Sequence, residues 1–114
     1  MIVDDDEGFL QAARTLLERD GMTVAGVAGS GAEALERVRT LRPDVVLIDI
    51  RLGGESGFEA ARRLAGGGHP AALIMISSHA EDDYADLIAD SPTAGFLAKA
   101  ELSAVAIRQV LGTG

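Results

Sequence analysis

The most constraining stretch of the sequence is an unbroken apolar run at residues 45–48, which ends on the carboxylate of Asp49. Four apolar residues without polar alternation are typical of a strand buried on both faces, such as a central strand of a parallel sheet. Pro43 and Asp44 precede the run, and Gly53-Gly54 mark a loop after it. Open parallel sheets carry their functional groups beyond the carboxyl ends of the strands. Asp49 is therefore predicted to lie at the functional edge.

Strand and helix patterns alternate five times along the chain. The predicted strands cover residues 1–3, 23–28, 44–49, 72–76 and 94–98. Apolar residues recur at helical spacing after each strand, and Ser103 is predicted to cap a last helix that Gly112 ends. Right-handed crossovers make the five strands parallel with helices on both faces, so the predicted fold is a doubly wound (βα)5 α/β domain. We expect a single domain over residues 1–114, with a first strand that is truncated at its N-terminus.

Composition limits the function classes. The 114 residues include no cysteine and carry a formal net charge of −8. The absence of cysteine excludes thiolate metal sites and suits a cytoplasmic protein, which is the location we expect. The acidic balance would repel a phosphate backbone, so direct nucleic-acid binding is not expected, whereas a divalent cation or a basic protein surface is compatible. Neither a membrane span nor a signal peptide is expected, because no apolar stretch approaches roughly 18 residues.

Parallel strands deliver their carboxyl ends to one edge, where reactive side chains should converge. Asp4 and Asp5 follow the first strand, Asp49 ends the third, Ser77 the fourth and Lys99 the fifth. Carboxylates held together repel, and Mg2+, or alternatively Mn2+, would relieve the repulsion. A carboxylate can attack phosphorus and form an aspartyl phosphate, while a cation and a hydroxyl bind the phosphoryl oxygens. The residues therefore indicate a phosphoryl-accepting site.

The same segments resemble the receiver domains of two-component response regulators. Residues 2–6, 43–49, 76–78 and 95–99 stand in the order and approximate spacing of that family's motifs, and the resemblance covers essentially the whole chain. It implies a flavodoxin-like sheet with strand order 2-1-3-4-5. It also implies a phosphorylation-activated signalling switch that accepts its phosphoryl group from a sensor histidine kinase. No enzymatic activity is then expected beyond self-directed phosphotransfer and autodephosphorylation.

The resemblance gives each residue of the site a role. Asp49 is implied as the phosphoacceptor and Lys99 as the lysine that binds the phosphoryl group. Asp4 and Asp5 form the implied acidic pair, and the backbone carbonyl of Arg51 would complete the Mg2+ ligands.

Two further residues are implied as the moving parts of the switch, the hydroxyl of Ser77 and the ring of Phe96. Chemistry does not separate Ser77 from Ser78, and the family spacing favours Ser77. Phosphorylation would repack the face made by the fourth helix, the fifth strand and the fifth helix, where a downstream protein, an output domain or a second copy would bind. Arg51 and His79 flank the site and are predicted to tune the lifetime of the phosphoryl group.

The sequence departs from the family pattern in the loops. Gly53 stands where many relatives carry proline. Ala100 follows Lys99 where many relatives carry a cis proline, so an ordinary trans bond is expected here. Neither departure removes a reacting group.

Three alternatives remain open. One is a pseudo-receiver that binds partners unphosphorylated, and another is the receiver part of a longer DNA-binding regulator. The third is a dinucleotide enzyme, because residues 29–34 fit G-x-G-x-x-A after a strand. Glu33 disfavours this third alternative, since it would place a carboxylate where a pyrophosphate should bind.

Overall fold

The computed structural model describes residues 1–68, 70–78 and 84–112. The strands are β1 (Ile2–Val3), β2 (Val27–Ala28), β3 (Val45–Asp49), β4 (Arg51–Leu52), β5 (Glu55–Ser56), β6 (Ala72–Ser77) and β7 (Gly95–Ala98). The helices are α1 (Glu7–Arg19), α2 (Gly31–Leu41), α3 (Gly57–Ala65), α4 (Ala85–Ala89) and α5 (Ala104–Leu111), and a 3-10 turn covers Lys99–Glu101.

The main sheet is parallel and has the order β2-β1-β3-β6-β7. With the β4–β5 hairpin set aside, this order is 2-1-3-4-5, which confirms the predicted doubly wound fold. The two central strands pair over five residues, from Val45 opposite Ala72 to Asp49 opposite Ile76. This register brings the carboxyl ends of β3 and β6 to the same edge.

Apolar side chains of β3 enter two separate cores, one on each face of the sheet. Val46 and Ile48 pack with residues of α2 and α3, whereas Leu47 packs with residues of α1 and α5. Because successive side chains of a strand point to opposite faces, a strand covered on both sides must be apolar at every position. The unbroken run in the sequence is thus explained by helices on both faces.

Polar side chains fix where the helices begin. The Asp6 carboxylate accepts hydrogen bonds from the backbone N–H groups of Gly8 and Phe9 and caps α1. Ser103 caps α5 as predicted, and Gly112 ends that helix in the left-handed conformation. None of the helices in the described ranges is both long and apolar enough to cross a membrane.

Strand β2 is shorter than predicted. It covers two residues rather than 23–28, because among the described strands this edge strand has β1 as its single neighbour, and β1 offers two partners. Val24 is nonetheless buried in the core between the sheet, α1 and α5. Burial explains its apolar character without a hydrogen-bonded ladder.

The segment after β3 was predicted as a loop and is an antiparallel hairpin. Arg51 pairs with Ser56 and Leu52 with Glu55, and Gly53 lies in the turn with a φ of +60°. Proline is fixed near −65° and could not adopt this conformation, which explains the departure at Gly53. The described residues include no cis peptide bond, so the bond after Lys99 is trans as expected.

Candidate functional site

Three carboxyl groups converge at the carboxyl edge of the sheet. Asp4 directly follows β1 and is fully buried, Asp49 is the last residue of β3 and is 8% exposed, and Asp5 is exposed. Each offers an oxygen within 4.8 Å of the oxygens of the other two. The structure therefore brings together the acidic residues that the sequence placed at this edge.

Lys99 reaches the same cluster from the turn after β7. Its amine donates a hydrogen bond to Oδ2 of Asp49 at 2.9 Å and lies 2.6 Å from Oδ2 of Asp4. The second contact is a close ion pair between the ammonium group and a carboxylate oxygen that is shielded from solvent. The amine also lies 4.3 Å from the centre of the Phe9 ring, a cation–π distance.

Burial and charge act in opposite directions on these groups. Burial raises the pKa of Asp4; the contact with Lys99 opposes this effect, and the charge of Asp49 adds to it. Burial lowers the pKa of Lys99, but the two carboxylates more than offset it, so that this pKa lies above its ordinary value. The lysine therefore stays charged, and its ammonium group contacts two carboxylates, those of Asp4 and Asp49.

Backbone N–H groups hold the two buried carboxylates in place. Oδ1 of Asp4 accepts a hydrogen bond from the N–H of Asp6 at 2.9 Å, and Oδ1 of Asp49 accepts one from the N–H of Arg51 at 3.1 Å. Each carboxylate thus turns one oxygen to the backbone and the other to Lys99. The orientation of both carboxylates is therefore fixed at the ends of their strands.

The two serines after β6 differ in burial. Ser77 is the last residue of the strand and is 3% exposed, whereas Ser78 is exposed. Asp49 is opposite Ile76 in the sheet, and Ser77 therefore lies one residue further toward the acidic edge. Burial at the strand end distinguishes the two hydroxyls, which residue chemistry could not do.

Phe96 lies in β7 opposite Met75 and is half-buried. It packs against the core on the α2–α3 face, where Tyr84 and Ile88 also contact that core. The predicted tuning residue Arg51 is exposed beside the site, and His79 lies outside the described residues.

Three contacts beside the site were not predicted from the sequence. Phe9, beneath the lysine amine, looks like any apolar residue of an amphipathic helix, and no local signal distinguishes it. Glu55 accepts a hydrogen bond from the N–H of Gly31, 24 residues away in the sequence. A Cβ at Gly57 would overlap the backbone carbonyl of Asp49, which explains glycine at the start of α3. The last two signals exist only once the hairpin is known.

The donor set fits a hard divalent cation such as Mg2+. Carboxylate oxygens are the protein ligands that Mg2+ prefers. Here three residues each offer one such oxygen, and these oxygens lie within 4.8 Å of one another. The charge balance supports this fit, because one ammonium group contacts the two buried carboxylates and a cation would compensate the remaining negative charge. Asp4, Asp5 and Asp49 are the residues that would bind the metal.

Comparisons with known proteins agree with this geometry. Residues 1–110 match the family described as response regulator receiver domain. The chain is 33% identical to the response regulator GacA of Pseudomonas viridiflava over 101 residues, 87% of this chain and 47% of that protein. It is 30% identical to the DNA-binding transcriptional activator EvgA of Escherichia coli K12, over 89% of this chain and 50% of that protein. The chain therefore spans about half the length of these curated relatives.

A solved structure shares both fold and sequence similarity. The signal receiver domain of the response regulator NarL from Mycobacterium tuberculosis superposes with a TM-score of 0.83 at 30% identity. The match covers 97% of this chain and 90% of that structure.

Proposed function

The chain belongs to the family of response regulator receiver domains, which are phosphoacceptor modules of two-component signalling. We propose that Asp49 is the residue that accepts the phosphoryl group. One observation carries this proposal. Asp49 ends a buried central strand with one oxygen bonded to Lys99 and lies among carboxylates that fit Mg2+. Of the other two carboxylates, Asp4 is fully buried and Asp5 is exposed. Asp49 is 8% exposed and is bonded to the Lys99 ammonium group, so it combines partial access with a nearby positive charge.

The reaction is an in-line displacement on phosphorus. An oxygen of Asp49 attacks the phosphoryl group of a phosphohistidine on a sensor kinase, a P–O bond forms, and the P–N bond breaks with its electron pair returning to the imidazole. Lys99 neutralises charge on the transferred group and keeps the nucleophile oriented. A bound Mg2+, with the Arg51 carbonyl among its ligands, would supply further charge neutralisation.

The acyl phosphate then changes the balance of contacts at the edge. The Ser77 hydroxyl donates to a phosphoryl oxygen, and its movement frees space that Phe96 occupies. Phosphorylation can only bias an existing equilibrium, and moving it from mostly off to mostly on requires about 5 kcal/mol of differential interaction. Ser77 and Lys99 supply that difference in the proposed mechanism.

The proposed output surface is the face formed by α4, β7 and α5. Two exposed apolar side chains belong to the helices of this face: Leu87 on α4 is 48% exposed and Val105 on α5 is 59% exposed. These residues support binding of a downstream protein, an output domain or a second copy at this face. The name of the E. coli relative supports a version of the proposal in which the switch, in the cytoplasm, controls a DNA-binding output domain. To test that version, DNA binding by the product of the whole reading frame is measured before and after phosphorylation.

Intact-mass measurement tests the acceptor. We expect the wild type, incubated with Mg2+ and a small acyl phosphate, to gain the mass of one phosphoryl group. Asp49→Asn should gain none, and EDTA should suppress the gain in the wild type. A wild type that gains no phosphate under any donor would make the domain a pseudo-receiver, and a phosphorylated Asp49→Asn would place the acceptor elsewhere.

Variants of the neighbouring residues test the remaining roles. Ser77→Ala should weaken the response of the α4–β7–α5 face while the mass gain persists, whereas Ser78→Ala should resemble the wild type. Replacing Arg51 or His79 and timing the loss of phosphate tests the tuning of autodephosphorylation. Unchanged lifetimes in both variants would remove that role.

A further inference from the structure

We infer that Glu55 is a positioning residue for the divalent cation, because it fastens the β4–β5 hairpin beside the acidic site to the start of helix α2. The inference rests on the proposed function, since the hairpin matters only if the site binds a cation and a phosphoryl group.

The hairpin supplies the wall of the site next to Asp49. Arg51, the first residue of the hairpin, donates its N–H to Asp49, and Gly53 in the turn lies beside Asp5, with its Cβ position 3.4 Å from Oδ2. The hairpin is not part of the main sheet, since within the described ranges β4 pairs with no strand other than β5. Its position relative to the acidic cluster therefore depends on contacts outside the ladder.

Glu55 provides such a contact. Its Oε1 accepts a hydrogen bond of 2.5 Å from the N–H of Gly31, the first residue of α2, and the bond is partly buried. A carboxylate at a helix N-terminus also interacts favourably with the helix dipole, and a charge-assisted bond is stronger than a neutral one. Leu52, its partner across the hairpin, is 4% exposed and anchors the other strand in the core.

The fit at Gly31 is close. A Cβ there would lie 2.9 and 3.1 Å from the two Glu55 oxygens and 3.1 Å from Cβ of Ala60. Glycine at this position lets the carboxylate approach the backbone. The contact between the hairpin and α2 thus depends on the Glu55 carboxylate and on the absence of a side chain at Gly31.

The chain offers a matched control at the same helix terminus. Glu33 also accepts a hydrogen bond from a backbone N–H, that of Gly29 at 2.8 Å, and its own N–H donates to the Ser30 hydroxyl. Glu33→Ala removes a carboxylate from the start of α2 without touching the hairpin. A loss of stability alone should therefore be common to Glu33→Ala and Glu55→Ala.

Mg2+ binding, measured by calorimetry on the unphosphorylated protein, tests the role directly. We expect Glu55→Ala to raise the Mg2+ dissociation constant about three- to tenfold, which corresponds to a loss of about 0.6–1.4 kcal/mol in the free energy of binding. Glu55→Gln keeps a neutral acceptor of the same length and should restore part of the affinity, while Glu33→Ala should bind like the wild type. In the metal-free protein the Gly31 amide should exchange faster in Glu55→Ala.

Phosphorylation provides a second, independent reading. The rate in Glu55→Ala should fall at limiting Mg2+ and recover at saturating Mg2+, a split that general destabilisation would not produce. If Glu55→Ala does not fold, Gly31→Ala is the second variant; it should displace the carboxylate and weaken Mg2+ binding in a helix that alanine favours.

The role of Glu55 would be overturned by a Mg2+ affinity of Glu55→Ala equal to that of the wild type, or by an equal loss of affinity in Glu33→Ala. Failure of Glu55→Gln to restore affinity would also overturn it. A wild-type protein that binds no Mg2+ and accepts no phosphate would instead contradict the proposed function itself, so the two failures are distinguishable.

Discussion

A single methyl group added at Gly57 should disrupt the fold at the point where β3 meets the candidate site. The Cβ of Gly57→Ala would overlap the backbone carbonyl of Asp49 and lie 2.9 Å from Cα of Ile50. The Gly57 N–H also donates to the Ile50 carbonyl at 2.7 Å, so α3 cannot move away without breaking that bond. The clash must be relieved by shifting the end of a buried strand.

The magnitude follows from what must move. Overpacking a core usually costs about 1–3 kcal/mol, because side chains can adjust. Here the obstructing atoms are backbone, so we expect a loss in the free energy of unfolding of about 3 kcal/mol or more. For a chain of this length that corresponds to a fall in Tm of roughly 12 °C, at about 4 °C per kcal/mol.

Urea denaturation of Gly57→Ala, with Gly54→Ala as a separate control variant, measures the loss in the free energy of unfolding. Gly54 lies three residues earlier, in the turn of the β4–β5 hairpin; it has no atom within 4 Å of its Cβ position and no positive φ. Gly54→Ala should therefore stay within about 0.5 kcal/mol of the wild type. Phosphate uptake by Gly57→Ala should also fall where the variant remains folded, because the shifted carbonyl belongs to Asp49. A loss below about 1 kcal/mol at Gly57, or equal losses at both positions, would refute the reasoning.

Other predictions concern the charged cluster. Burial raises the pKa of Asp4 in the folded protein, so the folded state binds this proton more tightly than the unfolded chain; in EDTA, stability should fall as pH rises from about 4 to that raised pKa. Asp4→Asn should remove this fall in urea titrations at several pH values, and an unchanged pH profile would contradict it. Mg2+ at 100 times its dissociation constant should stabilise the wild type by about 2.7 kcal/mol. Asp5→Asn should lose most of that gain while the exposed Glu7→Gln keeps it, as thermal unfolding would show. Phe9→Leu should lower the free energy of unfolding by about 0.5–2 kcal/mol, because the cation–π contact with Lys99 is lost. A coupling free energy of zero in a double-mutant cycle with Lys99→Met would exclude the contact.

Local patterns in the sequence determined most of the fold. The apolar run at residues 45–48 required burial on two faces, and the cap residues Ser103 and Gly112 fixed the last helix, because these signals depend on neighbours within one turn or one strand. Crossover handedness made the strands parallel, and the strand order was implied by the resemblance alone. Once the strands were parallel, their carboxyl ends had to meet, which is why Asp4, Asp49 and Lys99 could be placed together from the sequence.

Tertiary structure decided what depends on contacts between distant segments. The burial of Ser77 but not Ser78, the ring of Phe9 beneath the amine and the bond from Gly31 to Glu55 carry no local signature. Each requires two elements to approach within a few ångströms, and the free energy of that approach comes from packing the whole core. Periodicity shows which face of a segment is buried; only the packed chain shows which atoms it meets there.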